Sequence, residues 1–169
     1  MIEGNNSASV TVMEVSPRDG LQNEELVFSP DQKLKLIKAA ISAGLERIEV
    51  VSFVNPKKVP QMANAENVCA GLTDIHEAKL TGLVLNERGY QRLRDTCLHE
   101  AGIVISSTDT FGIRNQGMDL VRGLDFAKSV LRDGQQTRFP VQVTFAVAFG
   151  CPFENSVPEA RILRMVEEL

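Results

Sequence analysis

Apolar residues along the chain fall into short, nearly unbroken β-branched runs, separated by longer stretches in which they recur at helical spacing. The runs predict strands at about 10–15, 47–51, 79–85, 103–107 and 141–149. Continuous apolar strands of this kind suit a parallel sheet covered on both faces. The intervening stretches predict helices at about 30–43, 63–71, 87–100, 118–132 and 158–169. The first helix is the clearest. Ser29 stands at its N-cap, Pro30 in its first turn and Gln32 at capping-box spacing. Leu34, Ile37 and Ile41 mark one face, and Gly44 stops it. No Asn-Gly pair joins two apolar runs, so hairpins are not expected. Five strand–helix units in series imply a parallel α/β protein. Their number leaves two architectures open. A doubly wound sheet suits 169 residues, whereas a (β/α)₈ barrel needs eight units and about 250 residues.

Composition narrows the function classes. Apolar residues make up 43% and charged residues 24% of the chain, the net charge is −4, and there is no Trp. A nucleic-acid partner is therefore not expected. No apolar stretch is long enough to span a bilayer, and the opening "MIEGNNSAS" lacks the hydrophobic segment of a secretory leader. Cys69, Cys97 and Cys151 are odd in number and widely spaced, as reduced thiols of a cytoplasmic protein would be. A single domain over 1–169 with a flexible lead at 1–9 is expected.

Polar residues gather just past the C-terminal ends of the predicted strands, where parallel α/β folds build their sites. "SPRDGLQNEE" follows the first strand and carries Arg18, Asp19, Gln22 and Asn23. Glu49 lies inside "RIEVVSF", with Ser52 and Asn55 after it; Asn86 ends the third strand. Loops are polar in any case, which accounts for Asn55. Glu49 is harder to account for, because a carboxylate inside a strand needs a cation. A structural ion pair with Arg18 or Arg47 would satisfy it, and so would a metal. Asp19 can form an Asx-turn beside a solvated Arg18. Alternatively, Asp19 can hold a divalent ion while Arg18 stabilises developing negative charge. His76 and His99 form no ligand pair and are expected at the surface or a helix end. Cys151 has no nearby His and is expected to be structural. "RNQG" at 114–117 and "RDG" at 132–134 are turn-like.

Taken together, "EVSPRDGLQNE", "GLERIEVVSFVNPKKVPQMANAENV", "STDTFGIRNQG" and "FAVAFGCPFEN" resemble the bacterial 3-hydroxy-3-methylglutaryl-CoA lyases, within the pyruvate-carboxyltransferase-like metal-dependent lyases and condensing enzymes. The resemblance runs from about Val10 to the last residue. It implies a TIM barrel, of which this chain holds about the first five β–α units. It implies retro-Claisen cleavage of the acyl-CoA to acetyl-CoA and acetoacetate, a step of leucine breakdown, with Mg²⁺ or Mn²⁺. It also implies a small-molecule acyl-CoA substrate and a homo-oligomeric full-length form. By that likeness Asp19 matches a metal ligand, and Arg18 matches the residue that stabilises the enolate of the departing acetyl-CoA. Glu49 matches an acidic residue supporting both, and Gln22, Ser52 and Asn86 match positions lining the substrate cavity. The family's further metal ligands, an HxH pair and a later Asn, and its catalytic Cys in a "GGCP" context are absent from this chain. A C-terminally truncated domain without lyase activity of its own is therefore expected, with open apolar edges at its first and fifth strands. A sister 3-hydroxyacyl-CoA lyase, a 2-oxo-acid condensing enzyme, or a non-catalytic half-barrel assembly module are the alternatives.

Overall fold

The computed structural model describes residues 10–169, so the lead at 1–9 lies outside the described residues. Helix α1 (Pro30–Ser42) begins as its sequence dictates. The Ser29 hydroxyl accepts from the Gln32 amide at 3.3 Å, and the Gln32 side chain accepts from the Ser29 amide at 2.8 Å. Two of the four amides orphaned at a helix start are thereby satisfied. Ser29→Ala is expected to lower stability by about 1 kcal/mol, read as a lower urea midpoint at unchanged m-value.

Strand β1 (Arg47–Ser52) follows, then α2 (Ala65–Ala70), β2 (Lys79–Val84), α3 (Glu87–Arg94), β3 (Glu100–Ser106), α4 (Asp109–Gln116), α5 (Leu120–Thr137), β4 (Val141–Ala146) and α6 (Glu159–Glu168). The four strands form one parallel sheet in sequence order β1-β2-β3-β4. The segment at 10–15, expected as the first strand, makes only a single parallel bridge from Glu14 to Ile48. Val10, Val12 and Val15 are exposed; nothing among the described residues covers the apolar side that would have driven them into the sheet.

Ile48, Val50, Leu80, Val84, Ala101, Ile103 and Ile105 pack in one core with Ile37, Val68, Leu93, Ala127, Val130 and Met165 from the helices. Helices thus cover one face of the sheet, as around a barrel, and not both as in a doubly wound sheet. The other face is not the apolar surface expected from the sequence. Strand pairing aligns Glu49 with Thr81 and Thr81 with Glu100, and further along it aligns Gly102 with Gln142 and Val104 with Thr144. Glu100 is buried there. It accepts from Thr81 Oγ1 at 3.0 Å and Arg47 Nη2 at 2.5 Å, with Lys79 Nζ at 3.5 Å. On the edge strand β4, Gln142 and Thr144 are exposed while Val141, Val143 and Phe145 are half-buried. The edge is therefore mixed rather than apolar.

Two turn-like motifs are helical. "RNQG" closes α4, with Gly117 as its left-handed C-cap at φ 75°, and "RDG" lies inside α5. The helix expected over 87–100 ends at Arg94, because Leu98 is needed against Gly82 and His99 Nδ1 accepts the Leu80 amide at 3.0 Å. His99 is thus a link beside the sheet rather than a helix-end residue. No helix among the described residues is long and apolar enough to cross a membrane.

Candidate functional site

Residues Ser16–Gly20 wind into one π-helical turn. The Val15 carbonyl accepts from both the Arg18 amide, at 3.1 Å, and the Asp19 amide, at 2.7 Å. Pro17 is buried beneath the turn. Such wide turns are rare and are frequently found at functional sites. Here the turn brings Arg18 to β1, where its Nε donates to Glu49 Oε1 while Nη1 donates to Asp19 Oδ1 at 2.7 Å. The Arg18 and Glu49 side chains are 15% and 8% exposed, against 57% for Asp19. Arg47, the other cation weighed for Glu49, is committed to Glu100.

Glu49 sits in a niche that the sheet makes for it. A Cβ on Gly102 of β3 would lie 3.3 Å from Glu49 Oε2. Burial pushes the Glu49 carboxyl above its usual 4.5, the Arg18 guanidinium draws it back, and burial wins. The ion pair and the raised value are compatible, because pairing offsets only part of the cost of taking a carboxylate out of water. Arg18 is consequently held on two of its nitrogens, and Nη2 has no partner among the described residues.

A cleft of about 600 Å³ opens over the turn at the C-terminal ends of the strands. Arg18, Asp19, Gln22 and Asn86 line its polar side, and Leu83, Leu85 and Val104 its floor. Four of the six candidate site residues therefore meet in one space. Glu49 stands behind Arg18 and does not line the cleft. Ser52 is fully buried at the end of β1, away from the cleft lining, and its hydroxyl has no hydrogen-bond partner among the described residues. Asn86 lines the cleft but also caps α3, its Oδ1 accepting from the Gly89 amide at 2.8 Å.

The sequence reading missed Asn115 and Gln116, which line the cleft from α4. Gln116 Nε2 is anchored on the Val104 carbonyl at 2.9 Å. The signal was present in "RNQG", read locally as a turn although it closes one of the stretches that carry the resemblance. Cys151 is buried, as expected of a structural thiol, with Sγ accepting from Thr108 Oγ1 at 3.2 Å. Burial pushes this thiol up. Hydrogen bonds from Thr108 and from the Phe153 and Glu154 amides outweigh that effect and leave it below its usual value.

Among the described residues, no group of three or more His, Cys, Asp or Glu could hold a metal ion. Asp19 is the one carboxylate lining the cleft, and Arg18 already occupies its Oδ1.

A family model described as HMGL-like matches residues 9–169. The hydroxymethylglutaryl-CoA lyase YngG of Bacillus subtilis is 32% identical over 160 residues, which cover 95% of this chain and 54% of that protein. The (R)-citramalyl-CoA lyase of Chloroflexus aurantiacus is 34% identical over 173 residues, 94% of this chain and 53% of its own. Among solved structures, the Bacillus subtilis HMG-CoA lyase superposes with a TM-score of 0.88 at 32% identity, over 94% of this chain and 53% of that one. An HMG-CoA lyase from Acinetobacter baumannii in complex with coenzyme A and 3-methylmalate gives 0.86 at 33% identity, over 92% and 51%. The chain spans about half the length of the curated relatives it matches. The sheet with helices on one face is accordingly part of a TIM barrel, and the open doubly wound alternative falls away.

Proposed function

Because this chain belongs to the HMGL-like family, we propose that its 169 residues form one domain carrying the Arg18 half of an acyl-CoA lyase site, the substrate being 3-hydroxy-3-methylglutaryl-CoA. In the retro-Claisen reaction the 3-hydroxyl gives up its proton and the C2–C3 bond breaks. The electron pair of that bond delocalises onto the thioester oxygen as an enolate. The C3 fragment leaves as acetoacetate, and protonation at C2 gives acetyl-CoA. A guanidinium fixed beside that oxygen binds the transition state better than the substrate. The observation that carries the reading is Arg18, pinned by Glu49 and Asp19 with Nη2 free at the cleft. Glu49 acts in it as a positioning residue. Gln22 and Asn86 are its substrate-facing amides, and the orphan Ser52 hydroxyl is left for a donor or acceptor that these residues do not supply.

A divalent ion, Mg²⁺ or Mn²⁺, would polarise the 3-hydroxyl, with Asp19 as its anchor here. Asp19 is a single protein donor with its Oδ1 already bonded to Arg18, and the about six oxygens such an ion takes would have to come almost entirely from water and substrate, so these residues alone would hold it only weakly. What they do is bind the thioester and place the guanidinium. A cytoplasmic setting accords with three free cysteines.

Calorimetry with 3-hydroxy-3-methylglutaryl-CoA is expected to detect binding to the 169-residue chain, while an assay with added Mg²⁺ or Mn²⁺ yields no acetoacetate. No binding would overturn the lyase reading, and acetoacetate release would overturn the incomplete metal site. A citramalyl thioester that binds more tightly would favour the sister lyase.

A further inference from the structure

The wall of the Arg18 cleft holds a second cation that the Arg18 cluster does not use. Lys58 lines the cleft from the segment that follows β1, and the backbone beneath it is fixed from both sides. The Asn55 carbonyl accepts from the Lys58 amide at 2.9 Å and from the Val59 amide at 3.0 Å, while Asn55 Oδ1 accepts from the Lys57 amide at 2.9 Å. Val54, before this turn, is buried. Gln61, after it, is buried too: its side chain accepts from the Phe28 amide at 3.0 Å and donates to the Leu26 carbonyl at 2.9 Å. Buried Lys33 of α1 donates to the Gln61 carbonyl. Lys58 itself is exposed, a flexible stem on an anchored base.

Charge decides what that lysine is free to do. Arg18 is shared between Glu49 and Asp19. With Glu49 ionised these three groups carry a net negative charge, and with Glu49 protonated they are neutral. Either way the cluster has no positive charge left over for a second anion. Lys58 is the remaining cation of the cleft wall, and it has no ion-pair partner among the described residues. Asp19, the one carboxylate in that wall, pairs with Arg18 instead. Lys58 also borders a smaller cleft lined by Glu24 and Glu25, and it pairs with neither.

The substrate of the proposed reaction brings its own anion. Its acyl group ends in a free carboxylate, which C3 separates from the thioester. With the thioester oxygen at Arg18, that carboxylate needs a different cation further along the same cleft. We propose that Lys58 pairs with the free carboxylate of the acyl group and so makes the cleft selective for 3-hydroxyacyl thioesters that carry one. The inference rests on the lyase reading for its ligand. The carboxylate keeps its charge through C2–C3 cleavage and leaves with the acetoacetate, so the contact is as strong in the substrate as in the transition state. Lys58 is therefore a specificity residue that sets affinity and not rate.

The test is calorimetric titration of the wild-type chain, Lys58→Gln and Lys35→Gln with two thioesters. One is 3-hydroxy-3-methylglutaryl-CoA. The other is 3-hydroxy-3-methylbutyryl-CoA, identical except that a hydrogen replaces the carboxylate. Lys35→Gln removes the same charge from the exposed side of α1. The wild-type chain and Lys35→Gln are expected to prefer the glutaryl thioester by about tenfold or more, the contribution of one charge-assisted hydrogen bond. Lys58→Gln should lose that preference, with its affinity for the butyryl thioester and its melting temperature unchanged. A Lys58→Gln variant that keeps the preference, or that binds both thioesters more weakly by the same factor, would overturn the role of Lys58 and leave the lyase reading standing. A wild-type chain that binds neither thioester would overturn the lyase reading, and the selectivity with it.

Discussion

Arg18→Met is expected to destabilise the fold by about 3 kcal/mol at pH 7 and to lose most of that penalty by pH 4.5. The Glu49 carboxyl is already held above its usual 4.5 by burial, with Arg18 in place to draw it back. Its folded value is raised, so the native state binds this proton more tightly than the unfolded chain does. On this account stability is greatest below 4.5 and declines as the pH rises through the folded value. Without Arg18 that folded value climbs further, and the declining limb reaches to higher pH. The ceiling is the work of protonating a carboxyl of unperturbed 4.5 at pH 7, about 3 kcal/mol at 1.36 kcal/mol per pH unit. That is a large share of the about 5–15 kcal/mol that holds a typical domain together. Urea unfolding at pH 5 and pH 7.5 measures it. Arg18→Met/Glu49→Gln should recover most of the loss at pH 7.5, because the buried charge goes with its partner. An equal loss at both pH values would show that Arg18 contributes packing rather than charge.

The same pair shows where local reading stops. That Arg18 and Asp19 sit at a strand's C-terminal end was visible in "SPRDG", and that Glu49 needs a cation was visible in "RIEVVSF". The choice of Arg18 over Arg47 was not. It depends on Glu100 taking Arg47 from a strand 53 residues away, and on a π-helical turn whose width no local propensity encodes. Helix α1 was legible almost to the residue because its signals are all local: a capping box, a proline in the first turn and a glycine stop. The segment at 10–15 has the composition of a strand, yet a strand needs a covered face, and among the described residues Val10 and Val12 have none. Helix α4 was hidden for the converse reason. "DTFGIRNQ" is polar and glycine-containing, with little helical pattern of its own, and it is helical because it packs on β3 and anchors Gln116 to Val104. Arg18, Asp19, Gln22 and Asn86 were therefore legible as a cluster, while Asn115 and Gln116 required the tertiary placement of α4.

Gly112 tests that placement directly. Gly112→Ala is expected to cost about 2–3 kcal/mol, although alanine in an open helix would stabilise by about 1 kcal/mol relative to glycine. The added Cβ would lie 2.4 Å from the Met118 carbonyl oxygen and 3.2 Å from Ser106 Cβ. The first of these is backbone and cannot rotate away, so either α4 lifts from β3 or the turn after it opens. Both movements carry Asn115 and Gln116 out of the cleft wall and strain the Gln116–Val104 hydrogen bond. Gly123 in α5 is the internal comparison. A Cβ there meets Ile105 at 3.5 Å or more, an ordinary contact, so Gly123→Ala should be neutral or stabilising by up to about 1 kcal/mol. Urea unfolding of the two variants should therefore give shifts of opposite sign or very unequal size. Gly112→Ala should also weaken ligand binding in the Arg18 cleft, whose wall α4 builds with Asn115 and Gln116. Equal stability of the two variants would mean that α4 is free to move. Asn115 and Gln116 would then line the cleft only by chance of position.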